Sequence, residues 1–449
     1  MAEASTLSLS GALIDEMRAA PHQADREMAA LHLLDWVGCS VAGAATSVGH
    51  AFAQAAGTRA HPLSLAGLGV AERAWALGCF GSLLEMDDVH RAALLHPGPV
   101  VMPAVLACCT PENATLAPEA ALRGYEAMIR LGRAVGPRHY AYFHNTATCG
   151  GLGASVAAAF MLGLDDQRTQ WAIAHAMSVA GGLWQCRNEP GATKHLHVAE
   201  AARRGVQAAL VAKAGVVGPL HVFEGPQGFF PALASDGRPD ALLEGNLWAM
   251  HETSFKPWPA CRHAHPAIDA ALVLRDKLAG RQPASIRIET YADAVLFCDC
   301  ATPTDPARAR FSLQHAVAVA LTDGPPQIAA FEQPALDLPR YAALRDRTSV
   351  AVDATFTARY PAHFGARVRV QTGDDTFEIR IDDAWGDSEN PMDAAAVIRK
   401  FEGLCSWAGI DAPSTRAIQN AALDPEGAAQ LLPLLAALSP NDPKNERTF

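Results

Sequence analysis

Apolar residues dominate the first half of the chain with little strict alternation. Between about residues 10 and 250, "ALHLLDWVGCSVAGA", "GLGASVAAAFMLGLD", "QWAIAHAMSVAGGLW" and "AEAARRGVQAALVAKAG" are rich in Ala, Gly and Leu and are separated by turns. Apolar content on most faces predicts helices buried on several sides. The small residues allow those helices to approach one another closely. No repeat of fixed period runs through the region. The pattern changes near "SFKPWPACRHAHPAIDA" (254–270), where Pro257 and Pro259 impose an extended entry and a helix is expected from His265. "ASIRIETYADAVLF" (284–297) alternates as a strand does, and "SLQHAVAVALTDG" (312–324) reads as a helix stopped at Gly324. "ARVRVQTGDDTFEIRID" (366–382) reads as a hairpin turning at Thr372-Gly373-Asp374. Helix returns from Met392, and "SPNDPKNERTF" reads as a loose tail.

A mixed α/β segment, about 256–390, thus interrupts a larger helical body formed by 1–255 and 391–449. A chain of 449 residues exceeds one hydrophobic core, which agrees with two domains. Half the residues are apolar and 18% are charged, the balance of a globular protein. A net charge of -11 without a Lys/Arg run argues against nucleic acid as a partner, although an acidic protein can still hold a basic pocket. The N-terminal stretch lacks the basic and apolar regions of a signal peptide. No apolar run reaches the roughly 18 residues of a membrane span. The 10 cysteines are scattered without a C-x-x-C pair, so reduced thiols and a cytoplasmic location are expected.

Titratable residues gather in "LLEMDDVHRAALLHPGPVVMPAVLA" (83–107), which holds Glu85, Asp87, Asp88, His90, Arg91 and His96 ahead of a Pro-Gly break. A helix over 75–91 would place Asp87 on one face with His90 and Arg91. His96-Pro97-Gly98 would then open a new helix, whose positive end suits an anion. Spacing alone leaves three readings open: a metal site, an acid/base or substrate site, and solvated helix ends with a cap. Asp-x-x-His with one distant histidine falls short of the convergent set a metal requires.

Three further stretches carry chemistry. In "RHYAYFHNTATCGGLGASVAAA" (138–159), His144-Asn145-Thr146 precede a helix of small residues, where they either cap it or help its free N–H groups bind a carboxylate. "GATKHLHVAEAARRG" (191–205) sets Lys194 and His197 at i, i+3, with His195 turned away. A lysine at a helix head opposes the dipole unless an anion or carboxylate lies near it. "SFKPWPACRHAH" (254–265) presents Lys256, Arg262, His263 and His265 from a proline-stiffened loop at the domain junction, a favoured place for ligands. A rigid linker with solvated basic residues is the plain alternative. Cys261 has no neighbouring base and reads as a small buried residue. The chain lacks a phosphate loop, a G-x-S-x-G elbow and H-E-x-x-H. The inventory favours proton transfer on a small carboxylate without a cofactor.

In their order and spacing, "MDDVHRAALLHPGPVVMPAVLA", "FHNTATCGGLGASVAAAFMLGLD", "TKHLHVAEAARRGVQAALVAKAG" with "FEGPQGFF", and "FKPWPACRHAHPAIDA" resemble the MmgE/PrpD family over nearly the whole chain. That family includes 2-methylcitrate dehydratase, cis-aconitate decarboxylase and iminodisuccinate epimerase. The resemblance implies a mainly α fold with an α+β insert: a large all-helical domain from both chain ends and a smaller α/β lid domain. It also implies an active site between them, a homodimer and no required metal or cofactor. Carried over by position, the site histidines fall on His96 and His144 and the site lysines on Lys194 and Lys256. The acidic segment falls on Glu85, Asp87 and Asp88. A tyrosine used by decarboxylase members falls on His315. Their Asp and Thr fall on Glu85 and Val89, and a lid histidine falls on Cys261.

The resulting expectation is a small di- or tricarboxylate substrate held by Lys194, Lys256 and Arg262, with Glu85, His263 and His315 also lining its site. His96, His144, Asp87 or Asp88 would move the proton. Dehydration of the 2-methylcitrate type stands first, epimerisation or isomerisation of an iminodisuccinate-like acid second and decarboxylation last. A carboxylate-binding structural dimer and a metal-dependent hydrolase are the readings from other classes.

Overall fold

The structure is a computed structural model that describes residues 8–58, 61–189 and 191–438. The loose tail expected over 439–449 lies outside the described residues. Within them the protein is mainly α, with twenty α-helices and one four-stranded mixed sheet. Two compact units result: a helical one from residues up to 83, 87–253 and 394 onward, and an α/β one from 84–86 and 254–393. No single helix among the described residues is long and apolar enough to cross a membrane.

The helical unit is centred on Asn145–Met161, in which every residue but Phe160 is buried. The helices Ala117–Ala134 and Thr193–Lys213 pack against it. Such close packing needs residues without side chains at the crossings. A Cβ on Gly205 would lie 2.3 Å from the Cβ of Ala154, and one on Gly124 would lie 2.9 Å from the carbonyl oxygen of Gly153. The helix Gln23–Ala44 packs on Ala394–Trp407, near the end of the described chain. Lys400 Nζ reaches Asp35 Oδ1 there at 2.6 Å, with both side chains buried. The C-terminal helices are thereby tied into the N-terminal helical core by charge as well as by apolar contact.

The α/β unit is built on the sheet order β2-β1-β3-β4. β1 (Ser285–Thr290) runs parallel to β2 (Thr348–Val352) and antiparallel to β3 (Ala366–Thr372). β3 and β4 (Asp375–Ile381) form the expected hairpin, with Val368 opposite Ile379. Alternation buries Ile286, Ile288, Val368 and Val370, and the helix His265–Leu278 packs on β3 and β4.

Three local expectations are corrected. The helix expected over 75–91 ends at Gly78, and residues beyond it turn into an irregular loop with a short His90–Leu95 bridge. Chain crowding explains the break: a Cβ on Gly81 would lie 2.6 Å from Trp36 Nε1, and Glu85 and Leu94 adopt φ of 54° and 53°. The strand expected over 284–297 ends at Thr290, and Ala292–Cys298 is a helix that buries Ala294 and Cys298 at a spacing of one turn. The parallel strand β2 went unread because its burial does not alternate cleanly.

Candidate active site

The irregular loop after Gly78 brings the acidic segment of the helical unit onto the H-P motif. His96 Nδ1 lies 2.9 Å from Asp87 Oδ2 and 2.8 Å from the Asp88 carbonyl oxygen. Both partners accept, so the proton on the neutral ring belongs on Nδ1 and the lone pair on Nε2. The backbone N–H of His96 donates to Thr146 Oγ1 at 3.1 Å, which ties the loop to the head of Asn145–Met161. Asp87 is buried, whereas the His96 side chain retains 16% exposure. This is a histidine oriented by a carboxylate, with its second nitrogen available for chemistry.

Asp88 does different work. Its Oδ2 accepts from Tyr125 Oη at 2.7 Å and meets His32 Nδ1 at 2.8 Å, while Oδ1 accepts from the Gly98 N–H at 2.9 Å. The anion expected at the head of Gly98–Ala107 is therefore the protein's own carboxylate. Asp88 thus brackets His32, Tyr125 and the head of Gly98–Ala107. Burial, followed by the charge of Asp88, holds the Tyr125 hydroxyl well above its usual pKa. His32 and Tyr125 are the residues that sequence reasoning missed. A histidine and an aspartate within "ALHLLDW", an otherwise apolar helix, were the available signal.

A second cluster lies around the head of Asn145–Met161. His144 is the N-cap residue, and its N–H donates to the Gly182 carbonyl at 2.9 Å. Its ring lies 4.4 Å from Trp184 at 30° and 5.7 Å from His197. Burial first, then the charges of Lys194, His197, His96 and His195, hold His144 well below the usual histidine pKa. His144 is thus neutral at physiological pH, with Lys194 and three other histidines in its electrostatic surroundings. Lys194 occupies the first turn of Thr193–Lys213 and is half-buried. His195, turned to another face as expected, meets Ser82 Oγ at 2.8 Å. His90 is also diverted: its Nδ1 accepts from the Ala93 N–H, and its Nε2 meets Arg133.

Within the α/β unit, Lys256 is fully buried with its Nζ 3.7 Å from Glu85 Oε2. Glu85 holds that position with a positive φ, an arrangement that costs a non-glycine residue of order 1 kcal/mol or more and marks functional loops. Arg262, expected to meet substrate, instead bonds Asp387 and the carbonyls of Phe255, Ala384 and Trp385. It fastens two loops of this unit. His315 is likewise internal: Nε2 donates to the Ala330 carbonyl at 2.9 Å and Nδ1 accepts from Arg345 at 3.0 Å. Burial lowers its pKa to about 4. His263 Nδ1 meets Tyr291 Oη at 2.6 Å, and its ring stacks between Phe297 and Phe364. The structure groups Asp87, His96, His144 and Lys194 in one unit and Glu85 with Lys256 in the other; it gives Arg262 and His315 structural partners. The one metal-capable cluster among the described residues, His363, Asp383 and Glu389, is separate from all of these.

Known proteins resemble the chain over most of its length. Residues 13–242 match the MmgE/PrpD N-terminal domain, and residues 258–424 match the MmgE/PrpD C-terminal domain. The chain is 28% identical over 395 residues to a cis-aconitate decarboxylase-like protein, oryM, of Aspergillus oryzae, covering 81% of each chain. It is 26% identical over 349 residues to human cis-aconitate decarboxylase, covering 72% of this chain and 71% of the relative. It is also 27% identical over 219 residues to Escherichia coli 2-methylcitrate dehydratase, covering 46% of this chain and 45% of that enzyme. With both domains matched across most of its length, the chain belongs to the MmgE/PrpD family.

Proposed function

We propose that this protein is a lyase that removes a proton alpha to a carboxylate of a small di- or tricarboxylate, and that the reaction is a dehydration of the 2-methylcitrate type. The observation that carries the reading is His96, whose Nδ1 is committed to Asp87 and the Asp88 carbonyl while Nε2 keeps its lone pair. Proton abstraction by Nε2 makes an imidazolium, and the Asp87 carboxylate stabilises it. The developing enolate carries negative charge next to the substrate carboxylate. Lys194 opposes that charge, and the N–H of a neutral His144 can donate a hydrogen bond to it. Collapse of the enolate breaks the bond to the hydroxyl on the neighbouring carbon, and the His96 imidazolium returns its proton to that oxygen, so that water leaves and the neutral ring is restored.

Decarboxylation is the second reading, favoured by the longer matches to proteins named for cis-aconitate decarboxylation. Both reactions pass through a carbanion beside a carboxylate, which explains how one set of residues could support either. A proton NMR time course in D₂O separates them. The protein would be incubated with 2-methylcitrate, citrate, cis-aconitate, malate and iminodisuccinate in turn. A new alkene signal from a hydroxy acid supports the dehydratase. Release of CO₂ from cis-aconitate replaces it with the decarboxylase, and solvent deuterium entering with inversion alone replaces it with an epimerase.

A further inference from the structure

Four buried polar atoms near the head of the helix Asn145–Met161 have no hydrogen-bond partner among the described residues: His144 Nδ1, Asn145 Oδ1, Trp184 Nε1 and His197 Nδ1. His144 and Asn145 are each 2% exposed and Trp184 is 8% exposed. They are neighbours in space as well as in kind. The His144 ring lies 4.4 Å from Trp184 and 5.7 Å from His197, and Asn145 follows His144 in the chain. No side chain caps this helix end. Folded proteins leave few buried polar groups unpaired, and a cluster of four calls for a ligand group to satisfy them.

Their chemistry is not uniform. The Asn145 amide nitrogen donates to the Ala93 carbonyl at 3.0 Å, which fixes Oδ1 as the unpaired acceptor of the amide. Trp184 Nε1–H can only donate. A neutral His144 can place its proton on Nδ1, as can His197, whose pKa is lowered by burial and by Arg204. The set therefore offers donors that suit a carboxylate and one fixed acceptor that a carboxylate cannot satisfy. An acceptor requires an O–H from the ligand. We propose that His144, Asn145, Trp184 and His197 form a subsite for an α-hydroxycarboxylate: the carboxylate takes the N–H donors, and the adjacent hydroxyl donates to Asn145 Oδ1.

This inference rests on the proposed carboxylate chemistry and narrows it to hydroxy acids. A buried acceptor left unpaired penalises any ligand that lacks the hydroxyl, which is how sites built for a hydroxyl reject its deoxy analogue. Cis-aconitate has no such hydroxyl. The test is calorimetric binding to the full chain of two matched pairs, citrate with propane-1,2,3-tricarboxylate and malate with succinate. In one pair at least, the hydroxy acid is expected to bind about tenfold or more tighter. That preference is expected to vanish in Asn145→Ala. In Trp184→Phe, which keeps the ring and removes the N–H, both members are expected to weaken together while the preference persists. Equal affinity within both pairs, or a preference that survives Asn145→Ala, overturns the hydroxyl contact alone. No binding of any of the four acids to the wild-type protein overturns the carboxylate reading with it. If Asn145→Ala does not fold, Trp184→Phe decides: a loss confined to the hydroxy acids, or no loss, removes the subsite.

Discussion

Asp87 and Asp88 are adjacent in the chain and have opposite assignments in the structure. Asp87 orients His96, while Asp88 holds His32, Tyr125 and the head of Gly98–Ala107. Asp87→Asn is therefore expected to lower kcat by about 10²–10⁴-fold, with a smaller change in KM and an unchanged unfolding midpoint. Asp88→Ala is expected to lower stability by roughly 2–4 kcal/mol, because it leaves buried donors unpaired. Urea unfolding beside steady-state kinetics checks both. If Asp88→Ala kept full stability and lost only turnover, the bracket assignment would fail. The residue types of this site were legible in the sequence: "EMDDVHRAALLHPG" concentrates them. Their division of labour was not, because it depends on His32 and Tyr125, which are remote in sequence and buried within other helices. Likewise, the partners that Arg262 and His315 find at Asp387, Arg345 and Ala330 follow from no local pattern.

At the scale of single elements, periodicity succeeded where one face decides the structure and failed where backbone crowding does. The hairpin of β3 and β4 and the helix stopped at Gly324 follow from alternation and from a glycine. The end of the helix at Gly78 depends on Trp36 meeting Gly81, which no local pattern reports. The contact of Gly205 with Ala154 belongs to the same class. Gly205→Val is expected to destabilise the helical unit by about 1–3 kcal/mol through overpacking, read as a lower thermal midpoint. The helix Leu313–Asp323 makes a prediction about pH. Its His315 has a folded pKa of about 4 against an ordinary value of 6.5. A lowered histidine pKa means that the unfolded chain binds the proton first, so stability is fully present above about pH 6.5 and falls as the pH drops toward 4. His90, His139, His144 and His197 are lowered as well and act in the same direction. Urea midpoints should therefore fall between pH 6.5 and pH 4, and less steeply in His315→Gln. A wild-type midpoint flat across that window would contradict the burial assigned to these rings.

On the scale of the whole molecule, the helical unit is discontinuous in sequence: residues 254–393 intervene before 394 onward complete it. The sequence pattern changes near residue 256, but no local pattern reports the bond that joins the two ends. Lys400 looks like a surface lysine within "VIRKFEG", yet it is buried on Asp35. Lys400→Met is expected to destabilise by about 3–5 kcal/mol by leaving the Asp35 carboxylate buried alone. The double variant Asp35→Leu with Lys400→Met is expected to recover most of that loss. A double variant no better than the single one would show that the pair itself, more than relief of an isolated charge, holds the ends together. The discontinuity also has a consequence during synthesis. At about 5–20 residues per second, a ribosome takes on the order of ten seconds to pass from the first part of the helical unit to the helix carrying Lys400. Throughout that interval Asp35 and the face of Gln23–Ala44 that later meets Ala394–Trp407 have no native partner. The nascent chain thus exposes a sticky surface containing one charge until the helix carrying Lys400 has emerged.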